Sequence, residues 1–400
     1  MSTGPVLRLL DFQPVIYQGQ QMWLLRDPLG LSREQLVFPA ALAQMLPLLD
    51  GSHDLDAIQV AFSQLVGEWV PRDVLVETID RLDEACLLEN ERSQAALQEQ
   101  LARYRAAPFR PPSLAGIGYP EAVDDLVALF ASYEAQAGSG NGQGWRGRGI
   151  ISPHIDYQRG GPVYASVWSR SHDALAGADL VVILGTDHNG GAGTITLTAQ
   201  PYATPFGVLP SPGDLVDRLA RAIGPGEAFA LELNHRQEHS VELPAVWLHY
   251  VYYRLGQAPP PVLPVLAGSF HHFVGNGHHP AGDIRLNRFV ETLRDELASR
   301  RVVVVASVDL AHVGPSFGDP FVMDSARREA LRQSDRRLIA AIQAGDHARF
   351  YDEIATVGDR HRICGFSSIY LLLRLLDGAQ GTTIAYDHCP ADEEENSLVS

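Results

Sequence analysis

Four segments of this chain are apolar almost end to end: GIIS at 149–152, LVVILG at 180–185, PVLPVLAG at 261–268 and RVVVVAS at 301–307. A strand with one face in water alternates polar and apolar residues, so runs without alternation predict strands covered on both faces. Between and after them, apolar residues recur at helical spacing over 163–177, 214–223, 287–299 and 325–345. The pattern predicts an α/β fold, a layered sheet flanked by helices.

Three of these runs end in titratable residues. GIIS is followed by Pro153 and His154, LVVILG by Thr186, Asp187 and His188, and RVVVVAS by Val308, Asp309 and, three residues on, His312. In open α/β sheets the carboxyl ends of the strands line the functional crevice, which places these side chains on one rim. Cys364 stands before Gly365 and a predicted helix, FSSIYLLLRLL, whose first amides would favour a thiolate. His239, between Glu238 and Ser240 in QEHSVE, adds another imidazole. Imidazole and thiolate together are the donor set of a transition-metal site.

Charge and composition exclude several classes. The formal net charge is −17, and all 31 basic residues are arginine. Without lysine there is no Schiff base, no covalent pyridoxal phosphate site and no P-loop lysine. The acidic balance argues against nucleic acid as a partner, because that affinity is built from clustered basic residues. No apolar run approaches the roughly 20 residues that span a bilayer, and MSTGPVLRLLDF lacks the layout of a signal peptide. No membrane association is expected. Three scattered cysteines, Cys86, Cys364 and Cys389, do not make a disulfide framework. The expectation is a cytoplasmic protein.

Residues 1–91 read as a separate small unit. Extended pieces lie around Pro14 to Trp23, helical patterning runs from Ser32 to Leu49, and two more helices follow the DGSHD turn. The expectation is a winged-helix-like domain. Residues 92–111 read as a helical linker closed by FRPP, and 112–400 as the α/β domain.

Gly142, Gly144 and Gly147 match the spacing G-x-G-x-x-G, but they precede the strand GIIS instead of following one, so a surface loop is expected. His271, His272, His278 and His279 form a histidine-rich loop of the kind that binds metal adventitiously. Tyr157, Tyr202 and Phe206 are candidate pocket walls, with aromatic core packing as the alternative. The acidic run ADEEEN is expected to be a solvated turn.

The motifs GIGYP, ISPHIDY, ILGTDH, YATPFGVL, EHSVELPAVWL, VLPVLAG, ASVDLAHVG and ICGFSSIYLLL stand in one order along the second domain. In that order they resemble the Memo family, which includes the AmmeMemoRadiSam system protein B and is related to the class III extradiol dioxygenases. The resemblance implies metal ligands at His154, His188 and Cys364, an acid/base role for His312 with Asp309 beside it, and a place in the site for His239. It implies iron or copper first, with zinc as the other candidate. The chain departs from the family pattern near the proposed metal. PHIDY stands where the family has PHAGY, and Asp187-His188-Asn189 where it has a histidine pair. Residues 1–91 resemble PqqD-like domains, which recognise leader peptides.

Three functions follow as expectations. The first is a metal-dependent oxidoreductase, dioxygenase-like, acting on an unknown small-molecule or peptide substrate, with His312, Asp309 and His239 as catalytic groups. The second is a non-catalytic scaffold that binds a peptide or protein partner, such as a radical enzyme, through the N-terminal domain and a Memo-type cleft that does not turn over. The third is zinc-dependent hydrolysis.

Overall fold

The computed structural model describes residues 4–32, 34–138, 144–275 and 278–400. Gly142 of the glycine-rich stretch lies outside the described residues. The chain divides into two compact units, Met1–Ala106 and Ala107–Ser400.

The first unit opens with three antiparallel strands, β1 (Asp11–Tyr17), β2 (Gln20–Arg26) and β3 (Leu36–Pro39), in the order β1-β2-β3. Gln18 and Gly19 turn the first hairpin with φ of 51° and 78°, the pair of positive values that a two-residue loop needs to match strand twist. Helices Leu55–Val66, Arg72–Glu84 and Glu91–Ala106 follow, and the last falls inside this unit.

The stretch from Ser32 to Leu49, expected to be helical, instead holds β3, one short helix (Ala40–Ala43) and a 3-10 turn (Leu46–Leu48). The reason is the alternation in LVFP. Leu36 and Phe38 are buried and pair with Leu25 and Trp23 of β2, and Pro39 cannot extend the ladder. Phe38, Met45, Ile58 and Leu75 share one core with Leu25 and Leu36.

In the second unit the strands are β4 (Gly149–Ser152), β5 (Leu180–Thr186), β6 (Ile195–Leu197), the hairpin of β7 (Tyr202–Thr204) and β8 (Gly207–Leu209), β9 (Val262–Ala267), β10 (Val302–Ser307), β11 (His312–Val313), β12 (Cys389–Pro390) and β13 (Leu398–Val399). The main sheet has the order β4-β10-β5-β9-β6. Its first four strands are parallel, and β6 runs antiparallel to β9. Small strands β11, β13 and β12 form a separate antiparallel sheet.

The unbroken apolar runs are explained by two cores. Val182 and Leu184 of β5, with Val304 of β10, face helices Gly213–Ile223, Ile284–Ser299 and Phe366–Leu375. Val181 and Ile183, with Val303 and Val305, face helices Val123–Ala137, Tyr157–Trp168 and His239–Leu255. Each fully buried aliphatic side chain stabilises the fold by roughly 1.5–3 kcal/mol relative to exposure. Replacing either face of β5 with polar residues would uncover one helical layer. Because β4, β10 and β5 are parallel and in register, Ser152 opposite Ser307 and Ala306 opposite Leu184, their carboxyl ends reach one rim together. No helix among the described residues is long and apolar enough to cross a membrane.

Candidate metal centre

His154 leaves β4 after Pro153 and is buried. Its Nδ1 lies 3.0 Å from the carbonyl oxygen of Ser307. A carbonyl can only accept, so Nδ1 carries the proton and Nε2 presents its lone pair. Burial, with His188 and His239 nearby, holds His154 well below the ordinary histidine range and keeps it neutral. Asp309, which follows β10, accepts from the backbone N–H groups of His154 and Ile155 at 3.2 and 3.3 Å and brings its other oxygen to 3.5 Å from His154 Nε2. Burial pushes the Asp309 carboxyl up to about 6.

His188 leaves β5, and its Nδ1 donates to Glu238 Oε1 at 2.9 Å. Glu238 caps the helix His239–Leu255, accepting from Ser240 N at 2.9 Å, and its Oε1 also lies 3.2 Å from His239 Nδ1. One buried carboxylate oxygen thus holds two imidazoles. Burial disfavours charge on Glu238, yet the two histidines keep it well below the carboxylate range. His188 loses basicity to burial but regains more from the Glu238 charge and from Cys364, ending well above its ordinary value.

The rings of His188 and His239 stack with centroids 4.7 Å apart, and His154 stands edge-on to both at 5.2 and 5.3 Å. One ligand atom from each of the three lies within 4.8 Å of the others, the one such group of histidine, cysteine and acidic side chains found among the described residues. Cys364 adjoins it, with Sγ 2.9 Å from His154 Nε2 and 3.7 Å from Thr186 Oγ1. The loop carrying the thiol is tied to the strand ends by Cys364 N to Leu310 O and Gly365 N to Asp309 O. Gly365 permits that approach, since a Cβ there would stand 2.5 Å from Val308 Cβ.

His154, His188, Cys364, Asp309 and His239, all singled out in the sequence, therefore meet in one place. His239, expected beside the ligands as a catalytic group, stands among the three imidazoles. His312 lies outside that group, in β11, its ring edge-on to Phe317 at 5.1 Å and its buried Nδ1 without a hydrogen-bond partner. Burial lowers its pKa to about 4.

The remaining candidates lie elsewhere. His271 pairs with Asp359 at 3.2 Å. Tyr157 and Tyr202 are core residues, donating to Leu243 O and bonding His235, while Phe206 packs on His249 and Tyr253. A cavity of about 780 Å³ runs along β4, with Ile155, Asp309, Leu372 and Tyr386 among its walls. Sequence reasoning passed over Ser307, which orients His154, and Arg110, which grips the carbonyl of Glu238. Ser307 ends an apolar strand and Arg110 sits in a linker-like FRPP, so neither signalled its partner.

Comparison with known proteins agrees with this architecture. Residues 110–400 match the family model described as Memo-like protein. A MEMO1 family protein of Aquifex aeolicus is 28% identical over 396 residues, 96% of this chain and 94% of its own length. One from Thermus thermophilus is 28% identical over 83% of this chain and 93% of its own length. One from Thermococcus kodakarensis is 27% identical, with 72% of this chain covering 91% of that protein.

Proposed function

The chain belongs to the Memo-like family, and from that premise we propose that its second unit is a metal-dependent oxidoreductase whose transition metal is held by His154, His188 and His239 with Cys364 beside them. One observation carries the reading: all three imidazoles have Nδ1 against an acceptor, the Ser307 carbonyl or the Glu238 carboxylate, which leaves each Nε2 as the ligating nitrogen, that of His188 once metal binding has displaced its proton. Oriented imidazoles of this kind are what metal sites require. Three nitrogen donors and a soft sulfur suit iron or copper, with zinc as the redox-silent competitor. When bound, iron or copper supplies one-electron redox chemistry.

The chain's own groups have complementary tasks. Asp309, pushed up to about 6, holds or releases a proton beside His154 near neutral pH. His312 stays neutral there and offers an unpartnered Nδ1 as a proton acceptor. The cavity beside Asp309 and Ile155 supplies room for a small organic substrate.

The first unit supports a second, compatible role in capturing a peptide or protein partner. Leu9, Ile16 and Trp69 are 72%, 83% and 68% exposed, and β1 is an edge strand open to pairing.

The test is elemental analysis with electron paramagnetic resonance on protein purified anaerobically without a histidine tag, wild type beside His188→Ala. Near-stoichiometric iron or copper in wild type alone is expected. Wild-type protein that neither carries metal nor takes it up on loading would sink the proposal.

A further inference from the structure

A second polar cluster lies one helical turn from the metal centre. Glu242, buried, accepts five hydrogen bonds: from the Arg110 guanidinium, Ser113 N at 2.9 Å, Ser113 Oγ at 2.7 Å, Leu114 N at 2.8 Å and Tyr119 OH at 2.6 Å. Arg110, equally buried, also donates to the carbonyls of His235 at 2.9 Å and Glu238 at 3.2 Å, and its guanidinium lies 4.9 Å from the Tyr202 ring centroid. Its backbone is fixed as well, with Arg110 N donating to Pro201 O and Ala203 N to Arg110 O.

A fully buried ion pair adds little net stability, because desolvation offsets most of the attraction. Its placement is more telling. The carbonyls that Arg110 grips bracket the turn leading into the helix His239–Leu255, and Glu238, whose carboxylate orients His188 and His239, lies between that turn and Glu242.

We propose that Arg110, Glu242 and Tyr119 are positioning residues of the metal centre, a buried knot that sets the backbone of Glu238 and through it the two imidazoles. The inference rests on the metal-binding reading of the three histidines. It gives the FRPPSLAGIGYP stretch a task, since Arg110, Ser113, Leu114 and Tyr119 all come from it. Ligand geometry tolerates displacements of only about 0.5 Å, and a helix start tied down at two carbonyls and one side chain has little freedom to drift.

The experiment compares Arg110→Lys and Tyr119→Phe with Tyr252→Phe, which removes a similar buried hydroxyl bond, to Leu175 O at 2.7 Å, farther along the same helix. Two readouts are taken from full-length protein: the ¹⁵N resonances of His188 and His239 Nδ1 without metal, and cobalt(II) titration followed by its visible spectrum. Arg110→Lys should weaken cobalt binding roughly 10–100-fold and alter the spectrum and both Nδ1 resonances. Tyr119→Phe, less disruptive to folding, should move all three in the same direction by less, and Tyr252→Phe should lower thermal stability without moving them. If Tyr119→Phe leaves resonances and cobalt affinity unchanged, or Tyr252→Phe moves them as far, the knot is a structural clamp and the proposal is wrong. Wild-type protein that takes up no cobalt would instead remove the metal reading, while the imidazole resonances still decide the positioning claim.

Discussion

Glu238 Oε1 accepts the Nδ1 proton of His188 at 2.9 Å, across 50 residues of sequence, and this contact decides which nitrogen of His188 is left as a donor. The same oxygen meets His239. Glu238→Gln keeps the shape but replaces the charged acceptor shared by two imidazoles with a neutral amide. Metal affinity should fall roughly 10–100-fold, measured by competition with a chromophoric chelator. An unchanged affinity would mean that the carboxylate does not orient the rings.

His239 and Cys364 can be told apart as donors. Cys364→Ala should abolish the thiolate-to-cobalt charge-transfer band in the near ultraviolet and leave the visible bands present but shifted. His239→Ala should retain the charge-transfer band and bind more weakly. Retention of the band in Cys364→Ala would exclude the thiol from the coordination sphere.

Gly185, in the ILGTDH stretch, lies under the start of the helix that begins at His239. A Cβ there would stand 2.6 Å from Ser240 Oγ and 2.7 Å from Val241 Cγ2. Gly185→Ala should cost about 1–3 kcal/mol through overpacking and also weaken metal binding, because the residues it displaces follow His239 directly. Chemical denaturation and cobalt titration read the two effects separately, and a stability loss with full affinity would show that the helix start absorbs the shift.

His312 gives the apo protein an acid-sensitive term. Burial lowers its pKa from 6.5 to about 4, with the charges of His188 and Arg159 acting in the same direction. Between these values the unfolded chain binds the proton more readily than the folded one, so this contribution is present above pH 6.5 and is lost as pH falls toward 4. At about 1.4 kcal/mol per pKa unit, the span from 6.5 to about 4 sets an upper bound between about 3 and 4 kcal/mol. Asp309 and Asp187, both raised to about 6, act with the opposite sign and mask part of the slope. His312→Gln should therefore lose less stability than wild type between pH 6.5 and 4.5 in urea melts; parallel curves would contradict the buried neutral state.

Much of this organisation was legible along the chain. Unbroken apolar runs predicted a sheet covered on both faces, and the polar residue after each run predicted a rim, because strand direction and register follow from local pattern. His154, His188 and Asp309 could be singled out on those grounds, and Cys364 by its place before a predicted helix. The helical reading of Ser32 to Leu49 gave way to β3 because pairing with β2 rewards the alternation in LVFP more than helix propensity does.

Contacts between distant segments were a matter for tertiary structure. Cys364 and His154 are separated by 210 residues and Arg110 and Glu242 by 132, and no periodicity specifies which side chains will face each other across such distances. Helix packing on the sheet brought His239 into the imidazole group and gave Glu238 both rings to hold. The sequence by itself determined which residues could bind a metal, while the packing of distant segments decided which of them share a point and which nitrogen each presents.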